Sequence, residues 1–164
     1  MNFDEELFAA SCEKIKQLGY PLDDPATMEA AEPYLKLGPM ITVGLYPHVT
    51  DQATRVFISV YAGLTTLIDD VFVDKPGPIS EFNYRFAQGI PQQCPVLETF
   101  ARLLHLFREH WSPVMADMLL QSSMTFITSI SLEHAAKDAE VNPCQNSVFL
   151  PDSTSDSCPL AITV

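Results

Sequence analysis

The sequence predicts an all-α fold, and three observations carry that prediction. Apolar residues recur at helical spacing in Phe3 to Leu18. A run from Asp51 to about Val73 is apolar over most of a helix circumference. A third long stretch, Val114 to about Ala139, carries Met115, Met118, Leu119, Phe126, Ile127, Ile130 and Leu132 as an apolar face. Glycine and proline separate these stretches, as helix ends require.

The first helix places Phe3, Leu7, Ala10, Ile15 and Leu18 three to five residues apart, and Gly19 stops it. Asp23-Asp24-Pro25 disfavours helix just before the proline, and these two carboxylates suit a surface cap. A second helix is expected over Ala26 to Leu37, interrupted near Pro33. Met40 to Tyr46 is a short apolar segment that reads equally as helix or buried loop, with Gly44 inside it and Pro47 closing it. Thr50 is placed to cap the central helix, with Asp51 in its first turn. Ala62 and Gly63 admit a close neighbour, and Pro76, Gly77 and Pro78 end the helix. Ile79 to Gln88 reads as a short helix closed by Gly89. Val96 to His110 reads as one helix, and Trp111-Ser112-Pro113 is a corner. Past Glu140, Pro143, Pro151 and Pro159 punctuate a serine-rich stretch without helical period. Residues 1–140 are therefore expected to form the helical unit and 141–164 an irregular tail.

The 164 residues suffice for one domain with a real core. The chain has 21 Asp and Glu against 9 Lys and Arg, which argues against nucleic acid or an anionic membrane as a partner. No apolar run reaches the roughly 18 residues of a membrane span. Met1 to Glu6 is acidic, unlike the basic start of a secretory signal. Cys12, Cys94, Cys144 and Cys158 form no CxxC pair and read as reduced thiols of a cytoplasmic protein.

The chemistry concentrates where the central helix ends. Asp69, Asp70 and Asp74 form a DDxxxD pattern behind the apolar run Leu64 to Ile68. Asp70 and Asp74 lie one turn apart on one face, and Asp69 is offset by one step. Carboxylates at a helix C-terminus oppose the helix dipole, and a hard divalent cation resolves that conflict. The hypothesis from the residues alone is a Mg²⁺-diphosphate site at the mouth of a helical pocket, since Mg²⁺ is commonly held by one or two carboxylates plus substrate phosphates. The competing reading is a solvated acidic helix end with Lys75 nearby. Glu133, late in the last long helix, is by composition a surface residue. His105 and His110, five apart, do not make a one-face metal pair. No GxSxG nucleophile and no glycine-rich phosphate loop is present, so a diphosphate must be held through metal ions and side chains.

The segment Val56 to Pro76, above all Tyr61-Ala62-Gly63-Leu64-Thr65-Thr66-Leu67-Ile68-Asp69-Asp70-Val71-Phe72-Val73-Asp74, resembles the first metal-binding motif of fungal class I terpene synthases, and most the trichodiene synthase family. The likeness runs on through Gly89 to Cys94, the Trp111-Ser112-Pro113 corner and Leu132-Glu133. It implies a partial isoprenoid synthase fold, an antiparallel helical bundle around an apolar cavity. It implies Mg²⁺ as cofactor, with Asp69 as main ligand, Asp70 and Asp74 supporting it, and Glu133 as a further ligand. It implies a prenyl diphosphate substrate, farnesyl diphosphate, ionised to an allylic carbocation that cyclises to a sesquiterpene. Phe57, Tyr61, Leu64, Phe126 and Ile130 are candidate cavity walls, against ordinary core packing as the other reading.

The departures from that family pattern are large. Members are about twice as long, and their second half carries an NDxxSxxxE-type motif, a diphosphate-sensing arginine and an RY pair, none of them found here. The resemblance thus implies an N-terminal half with impaired activity. Two other readings stay open: a non-catalytic remnant that associates with itself or other partners through exposed helical faces, and a chain-elongating prenyltransferase of the same fold.

Overall fold

The computed structural model describes residues 3–72 and 77–141; of the side chains after Glu133, only those of Ala135 and Ala136 are described. The described residues are all-α, with eight helices and no strand. They are α1 (Glu5–Gln17), α2 (Pro25–Leu45), α3 (Gln52–Val71), α4 (Gly77–Ser80), α5 (Phe82–Gln88), α6 (Pro95–His105), α7 (Phe107–His110) and α8 (Pro113–Val141). The stretch expected as an irregular tail lies outside the described residues, apart from Val141, which ends α8.

Part of the acidic excess is spent on helix starts. Asp4, Asp24 and Asp51 are the N-caps of α1, α2 and α3. Their carboxylates accept from the backbone N–H of Leu7 at 2.9 Å, Thr27 at 2.9 Å and Thr54 at 2.7 Å. Asp51, not Thr50, therefore caps α3: its carboxylate also takes the Thr54 hydroxyl, at 2.7 Å. Those bonds hold the Asp24 and Asp51 carboxyls below the ordinary carboxylate range. Gly89 closes α5 in the left-handed region, at φ 65°, which a residue with Cβ adopts at a cost.

Three expected boundaries differ. α2 does not break at Pro33, and it absorbs the Met40 to Leu45 segment into one 21-residue helix that contains Pro33 and Pro39. Packing outweighs the two missing N–H donors, because this helix buries Ala31, Leu35, Gly38, Pro39 and Thr42. The expected Val96–His110 helix is split at Leu106 into α6 and α7. Ile79 to Gln88 is likewise split in two, at Glu81.

α2 lies along α3 at backbone contact. A Cβ placed on Gly38 would meet the Ser59 carbonyl, and one on Gly63 would meet the Tyr34 carbonyl. The pairings 38 with 59 and 34 with 63 make the two helices antiparallel. α1 covers both, and its Ser11 hydroxyl bonds the Leu7 carbonyl at 2.7 Å and the Ser59 hydroxyl at 2.8 Å. α6 packs on another side of α3, while α4, α5 and α7 pack on α8. Phe57, Leu64 and Ile68 of α3 are buried in one core with Phe82, Leu97, Phe100 and Ile127. α3 is thus the central rod of the bundle, as its apolar circumference predicts.

α8 departs from the predicted single apolar face. Ala116, Ser123, Ile127 and Ile130 are buried, whereas Met115, Met118 and Leu132 are exposed, Leu132 at 63%. Its apolar residues cover more than one side, and the neighbours that pack on it cover one.

Three buried side-chain oxygens have no hydrogen-bond partner among the described residues, those of Asn83 (Oδ1), Gln92 (Oε1) and Thr99. Thr99 of α6 is fully buried, and its hydroxyl meets no hydrogen-bond partner. Replacing that hydroxyl by a methyl of similar size removes the desolvation cost. We expect Thr99→Val to stabilise the chain by about 1 kcal/mol in denaturant unfolding.

Candidate metal-diphosphate site

Asp69 and Asp70 stand in the last turn of α3, whose C-cap is Phe72. Both are exposed. Asp74 lies outside the described residues. Glu133 is exposed on α8. Among the described residues, a set that contains Asp69, Asp70 and Glu133, no three or more His, Cys, Asp or Glu side chains gather as a metal cage.

The two aspartates differ in their surroundings. Successive helical residues point about 100° apart. Asp69 shares its face with Thr65, Ala62 and Ile58, which precede it by four, seven and eleven residues. All three are half-buried. Asp70 is turned toward α2, where the Tyr34 hydroxyl donates a hydrogen bond to its Oδ2. That bond, helped by burial, pushes the Tyr34 hydroxyl above its ordinary pKa. Among the described residues, neither aspartate takes part in an ion pair.

This donor set fits a hard divalent cation. It offers carboxylate oxygens only, both groups exposed and neither in an ion pair among the described residues. Two carboxylates are also the usual protein share of a Mg²⁺ site whose other ligands are water and phosphate.

Further down the same helix lies an apolar cavity of about 290 Å³. Ile58, Phe57 and Tyr61 of α3 line it together with Phe107, Trp111 and Met115. Tyr46, His48, Val49, Thr54 and Leu119 complete it. Ile58 is eleven residues from Asp69, about 16 Å along the helix axis. The cavity and Asp69 therefore occupy two ends of one face of α3. Aromatic rings order the cavity wall: Phe57 meets Trp111 edge-on at 5.0 Å and Phe107 at 5.5 Å. The Tyr61 hydroxyl is fixed by Ser123 of α8 at 3.0 Å.

Phe57 and Tyr61 line the cavity, and both also pack in the core, so the two readings offered for them hold together. Leu64, Phe126 and Ile130 are not among the lining residues. Leu64 and Ile130 are buried and Phe126 is partly buried against the core. For Leu64 the reason is register, because it points about 140° away from Asp69. His105 stacks on Phe86 at 4.6 Å, and His110 packs on Phe57 at 4.7 Å, so both imidazoles serve ring packing. Burial lowers the His110 pKa, which favours the neutral ring. Cys12 and Cys94 are free thiols. Among the described residues no helix is long and apolar enough to cross a membrane.

The sequence reading missed Ile58, Thr54, Phe107, Trp111, Met115 and Leu119 of the cavity, and Tyr34 at the carboxylates. Ile58 was within reach of the helical period counted back from Asp69. Tyr34 was not, since 36 residues separate it from its partner.

The chain is similar to fungal terpene synthases. It is 28% identical over 140 residues to alpha-cuprenene synthase COP6 of Coprinopsis cinerea, a match that covers 85% of this chain and 43% of that enzyme. It is 28% identical over 134 residues to terpene synthase BipA of Cochliobolus sativus, covering 80% of this chain and 40% of the relative. Over 85 residues it is 33% identical to longiborneol synthase CLM1 of Gibberella zeae, covering 50% and 24%. The chain spans less than half the length of these relatives. No family model and no solved structure matches it.

Proposed function

We propose that this chain is the aspartate-rich, N-terminal half of a class I terpene synthase of the trichodiene synthase type, binding farnesyl diphosphate with Mg²⁺ in the cytoplasm. The observation that carries the reading is the shared face of α3, with the exposed Asp69 carboxylate at one end, Asp70 beside it, and an aromatic cavity at the other end. The similarity to fungal terpene synthases supports it.

Asp69 and Asp70 would hold the cation, with Asp74 as a further ligand; Glu133, exposed on α8, does not join them. Held by these carboxylates, Mg²⁺ would supply the positive charge that a departing diphosphate needs. The chain's own part is to bind and to shield. The Ile58, Ala62 and Thr65 face leads the prenyl tail away from the carboxylates. The cavity excludes the water that would quench a carbocation. The rings of Tyr61, Phe107 and Trp111 offer cation–π attraction to the migrating positive charge. Cyclisation to a sesquiterpene is the outcome this arrangement serves.

Half of the resembled family's cation cage, the NDxxSxxxE-type motif, has no counterpart in these 164 residues. Turnover by this chain alone is therefore expected to be slight, while binding is not. Calorimetric titration with an unreactive farnesyl diphosphate analogue tests the reading. Binding should require Mg²⁺ and vanish with EDTA; binding indifferent to the cation, or none at all, would refute it.

A specific observation favours a second reading, that of an interaction module. Met115, Met118 and Leu132 leave apolar surface exposed on α8, and such surface promotes association. Light scattering across a concentration series decides it: a monomer at every concentration counts against this second reading.

A further inference from the structure

We infer that Tyr34 is a positioning residue of the cation site, holding Asp70 in place through its hydroxyl. The inference rests on the proposed cation-diphosphate reading.

The geometry comes from the pairing of α2 with α3. Side chains tilt toward the N-terminus of their own helix. α2 and α3 are antiparallel, so the N-terminal direction of α2 is the C-terminal direction of α3. Tyr34, whose carbonyl faces Gly63, therefore leans along α3 toward its acidic end and reaches Asp70 Oδ2. The close approach at Gly38 and Gly63 brings the helices near enough for one tyrosine to span that interval.

The chemistry of the donor matters. A carboxylate in the last turn of a helix is opposed by the dipole. A lysine or arginine would compensate it, but would also cancel the charge that draws a cation. A phenol donates one neutral hydrogen bond and leaves the negative charge in place. It also occupies Oδ2 alone, so Oδ1 of Asp70 and both oxygens of Asp69 remain for a metal. Side chains that orient metal ligands typically cost about 10- to 100-fold in affinity when removed.

The test is calorimetric titration of the full chain with Mg²⁺ in the presence of inorganic pyrophosphate, run on the parent, Tyr34→Phe and Asp69→Ala. Melting temperatures without cation are read in parallel. We expect Tyr34→Phe to weaken binding about tenfold, with its cation-free melting temperature unchanged and binding lost in Asp69→Ala. Parent-like affinity in Tyr34→Phe beside lost binding in Asp69→Ala would overturn the role of Tyr34 and leave the site standing. A lowered cation-free melting temperature in Tyr34→Phe would make its role structural and overturn the inference. Binding absent from the parent, or unchanged in Asp69→Ala, would overturn the cation site and Tyr34's role with it.

Discussion

Gly38→Ala should cost this chain about 3 kcal/mol or more of folding stability. A Cβ at residue 38 would stand 2.1 Å from the Ser59 carbonyl oxygen, 2.9 Å from its carbon and 3.0 Å from its Oγ. The first two are backbone atoms of α3, so no rotamer change relieves the clash. Either α2 must move off α3 or the contact must open. Moving α2 separates the apolar faces that bury Leu35 and Leu64. Overpacking alone costs about 1–3 kcal/mol. Here the obstacle is main chain, so the cost stands at the upper end of that range or above it. A loss of about 3 kcal/mol or more is a large part of the 5–15 kcal/mol that holds a typical domain folded. Urea unfolding followed by far-UV circular dichroism measures it. Gly63→Ala is the comparison, because its nearest atom would be the Tyr34 carbonyl oxygen at 3.2 Å. It should cost less than Gly38→Ala, and an equal cost would mean that the helices are not in this register.

The contrast between the two glycines shows what the sequence could express. Ala62-Gly63 announces a close neighbour because small residues sit in the middle of an apolar helix. Gly38 reads instead as a breaker beside Pro39, and the α2 boundary was misplaced there. A glycine that ends one helix and a glycine that admits another look alike until the partner helix is known. The same limit governs the site. Asp69 and Asp70 were legible because an acidic pair behind a long apolar run is a local conflict between charge and dipole. Ile58 was recoverable from the helical period. Tyr34, Phe107 and Leu119 come from other helices and Trp111 from the corner between α7 and α8, and nothing local ties them to the site. Leu64 misled because apolar character alone does not say which side of a fully apolar rod faces a cavity and which faces the core. α8 misled for the same reason, with Met118 and Leu132 placed on a buried face they do not share.

Asp69→Ala should move binding and stability in opposite directions. Asp69 lies in the last turn of α3, where the helix dipole disfavours a negative charge, and no basic side chain among the described residues pairs with it. Asp70 stands beside it in a chain of net charge −12, which adds repulsion. Removing the Asp69 carboxylate relieves both terms, and an exposed charge at a helix end is worth on the order of 0.3–1 kcal/mol. Alanine is also the better helix former. The variant should therefore melt slightly higher than the parent in EDTA. In Mg²⁺ with the farnesyl diphosphate analogue the order should reverse, because the parent gains stability from a ligand that the variant no longer holds. Ligand at 100 times its dissociation constant adds about 2.7 kcal/mol to the parent and nothing to a non-binder. Thermal melts of both proteins, with and without the cation and analogue, give the four numbers. A structural aspartate would lower the melting temperature in EDTA on removal, and a plain surface aspartate would leave the ligand-induced rise intact. Only a carboxylate retained for a cation at the expense of its own helix produces the crossover.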